Sequence, residues 1–111
     1  MTELRVRALL RPATDAEVTE ALERNPGSTR LREQGWAPAW FQLDVDVDGE
    51  EMGDRSFGVV WGEPGMSLEE VADEELDLAL EAALRSLRDF EGIDVEREEI
   101  APEAIELRIE R

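Results

Sequence analysis

Residues 67–92 read SLEEVADEELDLALEAALRSLRDFEG, and the architecture turns on this stretch. Leu68, Val71, Ala72, Leu76, Ala79, Leu80, Ala83, Leu84, Leu87 and Phe90 recur at three- and four-residue steps, the spacing that lines one face of an α-helix. Ser67, with Glu70 three residues on, forms a capping box that starts the helix. Acids crowd its first half and Arg85 and Arg88 lie near its end, a bias that suits the helix dipole at about 0.3–1 kcal/mol for each charge. Gly92 supplies the stop. A long helix with one apolar face must cover another layer, and the flanking sequence offers strands.

Immediately before it, Phe41, Leu43, Val45 and Val47 alternate with Gln42, Asp44, Asp46 and Asp48, which predicts a strand over 38–48. Asp48-Gly49 begins a turn. Residues 55–62 form a second β-rich run with Phe57, Val59 and Trp61 on one face, and Trp61 reads as core. The connection is short, so the two runs pair as an antiparallel hairpin. Further back, Leu4, Val6, Ala8 and Leu10 alternate with Arg5, Arg7 and Arg11 until Pro12. Thr14 and Glu17 make another capping box, opening a short helix through about Arg24 with Val18, Ala21 and Leu22 inward. Asn25-Pro26-Gly27 stops it. Residues 28–37 read as loop, with a short strand near 30–32 as the alternative. Beyond the long helix, Ile93-Asp94-Val95 is a candidate short strand. Ile105, Leu107 and Ile109 alternate with Glu106, Arg108 and Glu110 as a final strand.

The resulting order is β-α-β-β-α-β over one α+β domain, residues 1–111. Its compact solution is the ferredoxin-like arrangement: a four-stranded antiparallel sheet with both helices on one face. There the Asp-rich strand lies at an edge, where acids block edge-to-edge aggregation. The first strand pairs with the last, setting Arg5 and Arg7 against Glu106 and Glu110.

Charge narrows the function. Twenty-nine acids face twelve basic residues, every one an arginine, for a net charge of −17. Residues 1–40 hold six acids and six arginines, whereas residues 41–111 hold 23 acids and six arginines and carry the whole excess. Such a surface repels nucleic acid and anionic membranes and attracts basic proteins and cations. Cys, His, Lys and Tyr are all absent. That removes disulfides, thiolates, zinc–sulfur sites, the commonest general base and Schiff-base chemistry. No catalytic residue, cofactor or enzyme activity is expected. No apolar run approaches the roughly 18–20 residues of a membrane span. The first residues lack the order of a signal peptide, so a cytoplasmic protein is expected.

Asp44-Val45-Asp46-Val47-Asp48-Gly49 begins like a calcium loop, with acids at positions one, three and five and glycine at six. Arg55 stands where the bidentate Glu belongs and the flanks read as strands, so no metal ligand is assigned. The same aspartates stand about 6.6 Å apart on one strand face, within a Debye length of roughly 8 Å. They form an acidic patch that Glu50, Glu51 and Asp54 extend. Trp36 and Trp40 flank Pro38 beside it, as interface anchors or as the cap of a core. These eight residues are the candidate partner-binding surface, with the acidic half of the long helix as its rival. The expected function is a non-enzymatic interaction domain that engages a basic protein surface, in the manner of acidic inhibitors, immunity proteins and nucleic-acid mimics. Two alternatives stand beside it. The charge can reflect a halophilic habitat or a GC-rich genome, or the carboxylates can serve a divalent-cation binder or enzyme.

Overall fold

The computed structural model describes residues 3–51 and 56–111. Strand β1 (Leu4–Pro12) leads into helix α1 (Asp15–Arg24), a 3₁₀ turn (Pro26–Ser28) and the short helix α2 (Thr29–Glu33). Strands β2 (Ala37–Val47), β3 (Glu50–Glu51) and β4 (Ser56–Gly62) follow. Helix α3 (Leu68–Ser86) runs on through a π-helical turn (Leu87–Glu91), and strand β5 (Ile105–Ile109) comes last. The 3₁₀ turns Arg97–Glu99 and Pro102–Ala104 fill the approach to β5, and residues 93–95 form no strand.

The α+β class holds; the four-stranded antiparallel ferredoxin-like sheet does not. Among the described residues the sheet has five strands and is mixed. β1 pairs antiparallel with residues 39–47 of β2 and parallel with β5. On its other side β2 pairs antiparallel with β4 through residues 37–43 and with β3 at Asp46 and Val47. The cause lies in residues 28–37, which contain a helix where a loop was expected. A single helical pass of 10 residues, about 15 Å, carries a chain to the far end of a sheet and makes the next strand parallel. Here the 3₁₀ turn and α2 reverse the chain again. β2 therefore starts beside the residue where β1 stopped, Ala39 against Pro12, and runs antiparallel to it.

One face of the sheet is the core. Leu4, Val6, Ala8 and Leu10 of β1 and Ala39, Phe41, Leu43, Val45 and Val47 of β2 are buried against Val71, Ala72, Leu76 and Leu80 of α3 and Leu87 beyond it. Leu84 packs there half-buried. Phe90 does not; the π turn rotates it out to 82% exposure. Gly92 then closes the helix at φ 70°, with its N–H bonded to the Leu87 carbonyl.

The facing of β4 is the reverse of the expected one. Its register sets Gly58 beside Phe41, Val60 beside Ala39 and Gly62 beside Ala37. Glycines thus occupy two of the four core-side register positions, 56, 58, 60 and 62, and Phe57, Val59 and Trp61 lie on the outer face. A one-residue difference in phase moves every side chain across a strand. Close packing of α3 selects this phase, because a Cβ at Gly62 would stand 2.7 Å from Val71 Cγ2. Trp61 cannot occupy that position.

Thr14 and Ser67 both cap their helices, but only the first forms the full capping box; the Glu70 carboxylate accepts from the Ser67 hydroxyl instead of its backbone N–H. Thr14 and Glu17 exchange the two bonds of a capping box, and Ser67 Oγ accepts from the Glu70 N–H at 3.2 Å. α1, however, does not join α3 on the core face. Its Glu17 meets Arg11, which alternates with the buried Leu10 and so lies on the outer face. Val18 is buried outside the core that α3 covers, and the helix touches β4.

Candidate functional site

The outer face of the sheet binds its own charges together. Asp44 stands opposite Arg7 and Asp46 opposite Arg5, because β1 and β2 are neighbours in the sheet interior. Asp46 Oδ1 accepts from Arg7 at 3.2 Å. The expectation that this strand forms an exposed acidic edge is therefore overturned: β2 has strands on both sides and Asp44 is only 9% exposed. The expected pairing of the first strand with the last is present, in parallel, while the ion pairs of its arginines run from Arg7 to Asp46 and from Arg5 to Glu3. Glu106 stands opposite Arg7 from the β5 side, and Arg108 of β5 pairs with Glu110 just beyond the strand.

Asp48 is a turn residue. With φ 51° at Asp48 and 88° at Gly49, both central residues of the β2–β3 hairpin are left-handed, as a type I′ turn requires. Its Oδ1 accepts from the Glu3 N–H at 2.8 Å, and its own N–H donates to the Glu3 carbonyl at 2.8 Å. Glu50 and Glu51 are exposed on β3. Asp54 lies outside the described residues.

Both tryptophans are half-buried, and Trp40 is held between neighbouring side chains. Arg11 lies 5.1 Å above the Trp40 ring, and that ring packs against Phe57 at 5.7 Å. Both guanidinium nitrogens of Arg11 donate to the Glu17 carboxylate at 2.8 Å, a bidentate pair that fixes the start of α1 over the sheet. Those bonds from Arg11, with further bonds from Thr14, hold the Glu17 carboxyl down at about 2, against an opposing push from burial. The same pair pushes Arg11 up. Trp36 is half-buried, and its N–H donates to the Leu31 carbonyl at the end of α2.

Acidity gathers instead on the opposite side of the molecule. Residues 68–104 hold fourteen acids and three arginines, a net charge of −11. Glu69, Glu70, Asp73, Glu74, Asp77 and Glu81 of α3 are exposed, as are the seven acids from Asp89 to Glu103. Helical periodicity dictates this, since the apolar stripe faces the sheet and the rest of the circumference is left to charge. Compensation is loose. Arg85–Glu81 and Arg97–Asp77 approach only to 3.9 Å, Arg88–Asp89 to 3.6 Å, and Arg111 pairs with Glu69. Glu75 is half-buried, and burial followed by the charge of Glu74 pushes its carboxyl up. Among the described residues no group of three or more carboxylates is placed to share a metal ion. No helix among them is long and apolar enough to cross a membrane. In the sequence this helix surface is the rival of the Asp-rich strand, and the signal that separates them is the strand order, which decides which acids meet arginines. Comparison with protein-family models, curated proteins and solved structures yields no match to this chain.

Proposed function

We propose that this chain is a non-enzymatic acidic interaction domain whose α3 surface, continued by residues 89–103, engages a basic protein surface. The observation that supports it is the division of charge. The sheet's aspartates face arginines across the strands, whereas fourteen acids share three arginines over residues 68–104 and thirteen of them are exposed. A field of one sign on one side of a small protein raises the encounter rate with a partner of opposite sign and deters phosphates and acidic proteins. Inhibition or masking of a nucleic-acid-binding protein is the use that fits this chemistry, because such a protein presents the lysines and arginines the surface would cover. The reaction chemistry of an enzyme finds no support in a residue set without Cys, His, Lys or Tyr.

The test is association kinetics with a partner captured from the native host. The on-rate should fall steeply as KCl rises from about 0.05 to 0.5 M, following the shrinking Debye length. A variant combining Asp73→Asn, Glu74→Gln and Asp77→Asn should slow association further while keeping the fold, since all three side chains are exposed. A salt-insensitive on-rate, or one that the triple variant leaves unchanged, would overturn the reading.

A further inference from the structure

The free edge of the sheet at β4 is unlike the other edge. β4 pairs with β2 on one side, and among the described residues nothing pairs on the other. β5, at the opposite edge, carries Glu106 and Arg108 in a run of five residues. β4 reads Ser-Phe-Gly-Val-Val-Trp-Gly over seven residues, with no charge and no proline. Sheet edges are ordinarily blunted with charges, prolines or bulges, because an unpaired row of N–H and C=O groups invites another strand. Here none of those devices is present on the strand itself. Large apolar side chains flank the edge on both faces of the sheet, Phe57 at 60% exposure on the outer face and Leu78 of α3 at 60% on the core side. Between them lies a groove of about 310 Å³, lined by Phe41, Gly58, Val60, Glu75, Leu78 and Ala79. A Cβ at Gly58 would meet nothing within 4 Å, so this glycine leaves an opening at the edge beside the Phe41 ring.

We propose that this edge joins a second copy of the chain, the two β4 strands pairing antiparallel about a two-fold axis at Val59 to make one continuous sheet. The strand is its own complement in this arrangement. Gly58 stands opposite the partner's Val60, so a bulky residue meets the opening on each side of the axis. Phe57 stands opposite the partner's Trp61, an aromatic cross-strand pair on the outer face. A two-fold contact of this kind is isologous and closes on itself, which consumes the edge and does not propagate it. A second copy is the occupant, and not a basic segment, because the edge run is uncharged while the chain's acids lie on α3 and beyond. The axis is perpendicular to the sheet and sets the two α3 helices on the same face, each with Glu75 lining the groove. Their like charges oppose association, so self-association strengthens as salt screens them. That sign is opposite to the one required for docking on a basic partner, and the two readings stand or fall separately.

Sedimentation equilibrium of the full chain at about 0.05, 0.15 and 1 M KCl tests this, the Debye length shrinking to roughly 3 Å at the upper end. The expected result is a monomer–dimer equilibrium whose dissociation constant falls about tenfold or more across the series. Phe57→Lys and Leu78→Lys replace exposed side chains and each should weaken the dimer about tenfold; Leu78→Lys should leave monomer unfolding little changed, whereas Phe57→Lys also removes the ring's packing against Trp40. The chain has no cysteine, so Val59→Cys introduces a single thiol. Mild oxidation should then link two copies through it. A monomer at every salt concentration, as when the edge serves another protein's segment, overturns the proposal. So does a dimer indifferent to both lysine variants, or one that Val59→Cys fails to cross-link.

Discussion

The aspartates of β2 show how much of a residue's role depends on its cross-strand neighbour. Asp44, Asp46 and Asp48 look alike along the chain, yet Asp44 is buried opposite Arg7, Asp46 is bonded to Arg7, and Asp48 shapes a turn and holds Glu3. A period-2 pattern reveals that the three share a face; it does not say what lies beside that face. Arg11 and Glu17 give the sharpest test at this scale. The Glu17 carboxyl is held at about 2, below its ordinary value of 4.5. A depressed carboxylate contributes stability above its unfolded value and loses it as pH falls through the folded one. The difference in melting temperature between the wild-type chain and Glu17→Gln should therefore be full at neutral pH and close between about pH 4.5 and 2. A difference constant from pH 7 to 3 would mean that the carboxylate charge does not hold α1 to Arg11.

Periodicity carried the individual elements well: β1, α1, β2, α3 and β5 all lie where alternation or three-to-four spacing puts them. What it could not carry was relative placement. The five-residue α2 is too short to show a helical period, yet it reverses the chain and decides that β2 runs beside β1. β4 offered a misleading cue, since Phe57, Val59 and Trp61 are its bulkiest alternation while the core side is held by Gly58, Val60 and Gly62. Bulk marks the buried face of a strand only where the layer above leaves room, and α3 at Gly62 leaves none. The docking of α3 is measurable. Leu80 is fully buried, and Leu80→Ala should cost about 2–5 kcal/mol in chemical denaturation. Leu78→Ala, two residues away and 60% exposed, should cost less than about 0.5 kcal/mol. Equal losses would mean that the helix presents a different face.

At the scale of the whole molecule, repulsion among 29 acids with 12 arginines is a standing load on the fold. Protonating carboxylates relieves it, while Glu17, held down by Arg11, loses its contribution only at lower pH. Glu75 adds to the effect, since its raised value means that protonation favours the folded state as pH falls toward it. In low salt the melting temperature should be higher near pH 5 than at pH 8, read by calorimetry. The reverse order would show that paired carboxylates outweigh unpaired ones. Molar KCl should raise the melting temperature at pH 8 and narrow the difference between the two pH values. A flat response to salt would put the acids too far apart to load the fold, and would argue against adaptation to a saline habitat.

The parallel pairing of β1 with β5 has a kinetic side. Val6 meets Ile105, 99 residues further along, so the middle of the sheet waits for a segment made long after β1. Closing so long a loop costs entropy before any contact rewards it, and proteins dominated by such pairings fold in milliseconds to seconds. Until β5 arrives, β1 is itself an open edge, with Leu4, Val6, Ala8 and Leu10 lacking part of their cover. On a nascent chain that edge stays exposed throughout the synthesis of α3, and the surplus of negative charge then keeps unfinished copies apart.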